Sequence, residues 1–356
     1  MKIGLIGLPN SGKTTIFNAL TKRNAEVTSY VSMKTEPNIA MVDVFDERVA
    51  RLSNMYNPKK TVFATLELID FVGVKREASD GSVFSQDMLQ LIKNLDALAL
   101  VVRNFQDDLL GDAAPVNDVM QIVEDLLLAD LMMVENRLLR IDEAKKRGKA
   151  QNILPAEEKA LEKIKTQLDK MRPLRELSFT TDEEKSIRGF QFLTLKPFMI
   201  VLNSAEDDFG KSHDVLESLS EHGQVIEFAG NFEMELSELS DDEEAKLFMS
   251  DLGITESAKD RLTKCAYEVL GYVSFFTVGA DEVRAWNVQR GSTALEAAGT
   301  IHTDLMRGFI RAEKFSYSDL ITSGSEKAVR DIGKFRLEGK EYVVNDGDVL
   351  SIRFNV

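Results

Sequence analysis

Residues 7–14 read Gly7-Leu8-Pro9-Asn10-Ser11-Gly12-Lys13-Thr14, a G-x-x-x-x-G-K-[ST] pattern that constrains this chain more than any other feature. The apolar run Ile3 to Leu8 leads into it, and the following Thr14-Thr15-Ile16-Phe17-Asn18-Ala19-Leu20 has helical character. Strand, glycine loop and helix in that order turn backbone N–H groups around a polyphosphate, and the helix N-terminus adds partial positive charge. Asn10, Ser11, Gly12, Lys13, Thr14 and Thr15 are therefore the expected nucleotide contacts. Lys13 would place its ammonium on the β- and γ-phosphates as the catalytic group, and Thr14 would hold Mg2+.

The other apolar runs have the spacing of an α/β domain. Asn38 to Val44 and Val62 to Ile69 alternate in part, as strands with one more exposed face do. Ala97 to Val102, Phe198 to Leu202 and Gln224 to Phe228 read as fully buried strands. About 100 residues separate the fourth run from the fifth, whereas a strand-helix-strand unit needs about 30. The excess is an insertion. Within Val119 to Arg147, Ile122, Val123, Leu126, Leu127, Met133, Val134, Leu138 and Ile141 stay near one helical face. Gly148 to Pro155 breaks the pattern; Leu161, Ile164, Leu168 and Met171 then follow at coiled-coil spacing, and Pro173 ends it. An antiparallel helical hairpin results, either a partner-binding arm or packing decoration. After Leu270 come short runs at Phe275 to Val278, Phe309 to Ala312, Glu341 to Val344 and Val349 to Phe354, with a brief helix at Thr293 to Ala298 and a turn at Asp346-Gly347-Asp348. The expected partition is 1–118 and 185–270 for a nucleotide domain, 119–184 for the helical insertion and 271–356 for a small α+β module.

Two further motifs suit a phosphate-binding domain. Asp70-Phe71-Val72-Gly73 fits D-x-x-G at the end of an apolar strand, so Asp70 is expected in the Mg2+ shell and the Gly73 N–H near a γ-phosphate. Val74 follows where Ras-like proteins carry the Gln that orients water, so hydrolysis needs another device. Asn10 could assist by holding a monovalent cation such as K+. Asn203-Ser204-Ala205-Glu206 stands where guanine-specific proteins carry Asn-Lys-x-Asp. Asn203, Ala205 and Glu206 are thus base-contact candidates; the other reading is a solvated acidic loop, since Glu206-Asp207-Asp208 is a charge run.

Taken together, these residues resemble the YchF/Obg-like ATPase family of translation-factor-class P-loop proteins, and the resemblance runs the whole length. It includes Phe17-Asn18-Ala19-Leu20-Thr21-Lys22, Glu36-Pro37-Asn38, Phe192-Leu193-Thr194-Leu195-Lys196-Pro197, Glu282-Val283-Arg284-Ala285-Trp286, Gly308-Phe309-Ile310-Arg311-Ala312 and Asp346-Gly347-Asp348-Val349. The resemblance implies a G domain of mostly parallel, doubly wound sheet with a helical coiled-coil insertion, then a ubiquitin-like (β-grasp) TGS domain. It also implies nucleotide hydrolysis, commonly preferring ATP over GTP, and association with the ribosome. The resemblance makes Thr35 the expected switch threonine for Mg2+, although it is one residue from the family position, which holds Lys34. Met33 replaces a common Cys, Lys75 to Gln86 keeps only Gly81 of a glycine-rich segment, and Asp108-Leu109-Leu110-Gly111 lacks the family's His. A non-hydrolysing, nucleotide-gated RNA- or ribosome-binding protein is the alternative that these departures favour.

Charge and cysteine content narrow the setting. One Cys (Cys265) excludes an internal disulfide scaffold, and no run is long enough to cross a bilayer, so a cytoplasmic protein is expected. The net charge of −15 is concentrated in residues 203–262, with 4 basic and 17 acidic side chains. The C-terminal module is nearly neutral and holds Arg307, Arg311, Lys314, Lys327, Arg330, Lys334, Arg336 and Lys340, either a ribosomal RNA patch or a mixed surface. His213 and His222 lack partners at ligand spacing, and His302, Cys265 and Trp286 read as structural.

Overall fold

The computed structural model describes residues 1–21, 37–71, 83–107, 111–149, 154–239 and 242–355. In chain order the N-terminal part contains β1 (Lys2–Ile6), α1 (Lys13–Thr21), β2 (Asn38–Val44), α2 (Glu47–Tyr56), β3 (Lys60–Val62), β4 (Ala64–Asp70), α3 (Gln86–Lys93) and β5 (Ala97–Asn104). Then come α4 (Pro115–Lys146), α5 (Pro155–Leu168), α6 (Thr181–Ile187), β6 (Phe198–Ser204), α7 (His213–Ser220), β7 (Gln224–Phe228) and α8 (Gly230–Glu238).

The first sheet has the order β2-β4-β1-β5-β6-β7, and every pairing from β4 through β7 is parallel. Parallel strands must bury both faces, which is why β5 and β6 are apolar almost throughout and β6 is buried at all seven positions. The Gln224–Phe228 run is a correction to the sequence reading. Only Phe228 is fully buried, because β7 has a neighbour on one side alone and its outer edge meets solvent. The shared strand direction gathers the C-terminal ends of β1, β4, β5, β6 and β7 at one sheet edge, where ligands of open α/β sheets bind.

The insertion is the helical pair the periodicity predicts, with one refinement. α4 starts at Pro115, and its first turns serve the main sheet: Val119, Ile122 and Leu126 pack with Leu100, Val102 and Leu202. Its later turns leave that core, and Leu127, Val134 and Ile141 pack with Ala160, Leu161, Ile164 and Leu168 of α5. Met171 does not extend the seam, since α5 ends at Leu168 and Met171 is 44% exposed at φ 54. Asp130, which the sequence reading passed over, fastens the pair to the returning chain. Its buried carboxylate accepts from Leu193 N (2.9 Å), Thr194 N (2.8 Å) and Thr194 Oγ1 (2.7 Å). Asp130→Ala would strand three donors, so we expect a loss on the order of 3–5 kcal/mol in urea unfolding. An unchanged midpoint would contradict this role.

The second sheet has the order β11-β10-β12-β8-β9-β3, using β8 (Tyr272–Thr277), β9 (Glu282–Gln289), β10 (Phe309–Ser316), β11 (Arg336–Glu338) and β12 (Asp348–Phe354). β8 and β9 form an antiparallel pair, the helix Ala294–Ile301 covers one face with Ala297 in the core, and β12 runs parallel to β8 at the centre. This is the β-grasp arrangement. Thr293 and Glu296 form a reciprocal capping box that starts the helix. β9 was not anticipated as a strand. Glu341 to Val344 is not a strand either: Val343 makes only an isolated bridge to Thr293. Gly347 takes φ 85 in the expected turn.

The chain divides into two compact units, residues 1–41 with 67–259, and 42–66 with 260–356. Residues 42–66 therefore group with the C-terminal module, although the sequence partition kept them in 1–118. The physical reasons lie within the second unit. The Val62 to Ile69 run splits into two strands, and β3 pairs in parallel with β9. Arg48 of α2 reaches Asp346 at 2.6 Å and lies over the Phe276 ring. Cys265 is buried here, and desolvation pushes its thiol up to about 12. Among the described residues, no helix is long and apolar enough to cross a membrane.

Candidate nucleotide site

The loop between β1 and α1 is held open by backbone geometry. Asn10 takes φ 60 and Gly12 φ 89, left-handed conformations that turn successive N–H groups to one side. Gly7 has no room for a side chain: a Cβ there would lie 2.3 Å from Val101 O. At Gly12 a Cβ would lie 2.0 Å from Asn203 Nδ2. That contact exists because Asn203, at the end of β6, braces the loop. Its Nδ2 donates to Ser11 O at 3.0 Å, and its Oδ1 accepts from Gly230 N at 3.1 Å. Thus Asn203 ties the glycine loop to the start of α8, and Gly230 itself passes too close for any larger residue. The role of Gly230 was not read from sequence; its signal there is a glycine two residues past the end of the Gln224 to Phe228 run.

Lys13 Nζ donates to Gly7 O (3.1 Å) and Leu8 O (2.8 Å), folding back over the loop. Burial pushes its ammonium down to about 8, against the pull of the Asp70 carboxylate. A desolvated cation in a ring of backbone amides is an electrostatic receptor for a polyanion. Thr15 is buried in α1; the Ser11 hydroxyl, in the loop before it, is also buried and has no hydrogen-bond partner among the described residues.

Asp70 closes β4 and is fully buried. Its Oδ2 accepts from Thr14 Oγ1 at 2.9 Å and from Asn38 Nδ2 at 3.4 Å, while Oδ1 is buried without a partner among the described residues. Burial raises its pKa, and the Thr14 hydroxyl, the Lys13 charge and the Asn38 amide oppose that. An orphaned carboxylate oxygen beside a threonine hydroxyl, two hard oxygen donors at the phosphate end of the loop, fits Mg2+. Asn38 stands in the Glu36-Pro37-Asn38 block, but nothing in the sequence pointed its side chain at Asp70.

The base-side loop divides the sequence candidates. Ala205 N donates to Asn104 O at 3.3 Å, and Glu206 is exposed at the start of a short 3-10 turn. Glu227 of β7 holds this loop from below, accepting from Ser204 Oγ (2.6 Å) and from Gly210 N (3.0 Å). Asn104 donates to Ser204 Oγ (2.9 Å) and Ser212 Oγ (2.8 Å). Neither Glu227 nor Asn104 was anticipated. Thr35 and Gly73, with Lys34 and Val74, lie outside the described residues.

Elsewhere, His302 Nδ1 accepts from Asp304 N at 3.2 Å and caps the helix Thr303–Arg307, a structural task. His213 and His222 are exposed. The basic residues of the C-terminal unit do not share one face. Lys314 pairs with buried Asp348 at 3.1 Å and is in register with Arg336. Arg311 and Arg353 are register partners on the opposite face.

Sheet order, glycine loop and the Lys13–Thr14–Asp70 arrangement define a P-loop domain of the G-domain type. Comparison with known proteins agrees. Residues 2–137 match the family described as 50S ribosome-binding GTPase, and residues 272–355 match YchF-GTPase_C, described as a protein of unknown function (DUF933). The chain is 39% identical to the Ribosome-binding ATPase YchF of Bacillus subtilis, with 99% of each chain covered. It is 38% identical to the protein of that name from Escherichia coli O157:H7, over 100% of this chain and 99% of the other. The solved structure of the Schizosaccharomyces pombe YchF GTPase superposes with a TM-score of 0.84 at 32% identity, covering 99% of this chain and 97% of that one. The chain belongs to the YchF family.

Proposed function

We propose that this protein is an Mg2+-dependent nucleoside triphosphatase, preferring ATP to GTP, that works as a ribosome-associated nucleotide switch. The observation that carries the reading is the Lys13 ammonium folded back on the Gly7 and Leu8 carbonyls beside the Thr14–Asp70 pair. Bound Mg2+ would neutralise charge on the β- and γ-phosphate oxygens. Thr14 Oγ1 and the Asp70 carboxylate would hold it. Lys13 exchanges its two carbonyl acceptors for phosphate oxygens and, with the loop N–H groups, stabilises charge that grows on transfer. Asn203 keeps the loop in register, and the fixed geometry spares reorganisation at the moment of reaction.

Base choice rests on the loop after β6. Ser204 stands where the guanine motif has Lys, and its hydroxyl donates to Glu227, so the loop is not built on the guanine pattern. Ala205 and the exposed Glu206 remain the proposed base contacts. The relatives named as ATPases support the ATP preference, and their names support the ribosome as partner. The Arg311–Arg353 face and the helical pair are the proposed contact regions. Val74 in place of the water-orienting Gln favours a second reading, a nucleotide-gated ribosome- or RNA-binding protein without turnover. Phosphate release with Mg2+ and either ATP or GTP, with and without K+, separates the two. We expect slow release that is faster with ATP and rises with K+. Background release under every condition, with ribosomes also present, would overturn the enzyme reading.

A further inference from the structure

α4 carries exposed apolar side chains along one face that no described residue of its own unit covers. Met120, Leu128, Met132 and Leu139 are 54%, 43%, 58% and 63% exposed, although the same helix buries Val119, Ile122, Leu126, Val134 and Ile141 elsewhere. Spacings of eight, four and seven residues keep the four exposed side chains on one face, turned away from the core side. Over 19 residues at about 1.5 Å per residue the stripe extends roughly 28 Å, the length of a partner helix of five turns.

The charge around the stripe selects the partner. From Pro115 to Asn136 the helix carries five acidic residues and no basic one. Glu124 and Glu135 are exposed and interleaved with these apolar side chains, four residues from Met120 and Leu128 and from Leu139 respectively, Glu135 pairing with Lys165 of α5 at 2.8 Å. α7, which packs against the same stretch through Leu219, adds exposed Asp214 and Glu217. Such a surface repels a phosphate backbone, and a second copy of α4 would set acid against acid. We propose that this face of α4 docks an amphipathic helix of a partner protein that carries lysine and arginine beside its own apolar stripe. The other end of α4, Arg137 to Arg147, holds five basic and two acidic residues, Lys145 and Lys146 being paired with Glu158 and Asp142, and this asymmetry sets the direction: the partner's basic end lies toward Pro115. This goes beyond the nucleotide reading and stands independently of it, since no residue of the 7–14 loop takes part.

The test uses the full chain without nucleotide and a fluorescein-labelled helical peptide of about 18 residues. The peptide has leucines at i, i+3, i+4 and i+7, flanked by lysines. Two controls have the same leucines scattered round the helix, or glutamates for the lysines. Anisotropy titration is expected to show binding of the first peptide, with both controls weaker by about tenfold or more. Leu128→Gln with Met132→Gln, which keeps helix propensity and removes exposed side chains only, is expected to weaken the first peptide about tenfold. Equal affinity for the scattered peptide, no effect of the double substitution, or no binding at all would overturn the proposal. So would displacement of the peptide by a short RNA oligonucleotide, or self-association in sedimentation that the double substitution abolishes.

Discussion

Lys13→Ala is expected to reduce triphosphate turnover at least 100-fold, on the order of 3 kcal/mol or more of transition-state stabilisation, while leaving the fold intact. The native side chain makes only two hydrogen bonds, both to loop carbonyls that can turn to water. Its removal therefore costs little in the free protein and much against a triphosphate, whose charge it would meet in a desolvated setting. Lys13→Arg should not rescue, because the forked guanidinium is larger than the ammonium that the loop encloses. Phosphate release under single-turnover conditions reads this directly. Turnover within about threefold of the native protein would remove Lys13 from the chemistry.

Gly12→Ala is expected to destabilise the nucleotide domain by about 2–4 kcal/mol and to lower nucleotide affinity in step. Two separate causes act. The backbone sits at φ 89, where a Cβ is strained, and that Cβ would lie 2.0 Å from Asn203 Nδ2. Asn203→Ala removes the obstruction, yet it leaves Ser11 O and Gly230 N without their partner. The double variant Gly12→Ala/Asn203→Ala should therefore be more stable than the sum of the singles predicts, by on the order of 1–2 kcal/mol. It should still fall below the native protein, because the φ strain persists. Chemical denaturation of the four proteins checks this, and strict additivity would show that the two residues do not meet.

Much of this site was legible because its chemistry requires a contiguous pattern. The loop 7–14 must be local in sequence, since one turn of backbone supplies most of the amides, and Asp70 is marked by ending an apolar strand. Asn38, Glu227 and Gly230 were not legible. Glu227 and Gly230 take their roles from β6 and β7 ending side by side, and Asn38 from the start of β2 lying beside the end of β4; such neighbours are distant in sequence. In the fold, the α4–α5 seam showed clearly in apolar periodicity. The strand at Glu282–Gln289 did not, because Arg284 and Asn287 interrupt its apolar residues. The split of residues 62–69 between two sheets had no local mark beyond an exposed start. The basic residues after Arg307 illustrate the converse error of counting without geometry: pleating sends Lys314 and Arg311 to opposite faces.

The central claim, that the loop between β1 and α1 is a receptor for a nucleoside triphosphate, is tested most directly by calorimetric titration. Full-length native protein and Lys13→Ala would be titrated with ATP, GTP and their non-hydrolysable analogues in the presence of Mg2+. Saturable one-site binding to the native protein is expected, tighter for ATP than for GTP and weakened at least about tenfold by Lys13→Ala. No saturable heat with any of these nucleotides, or equal binding by the native protein and Lys13→Ala, would contradict it.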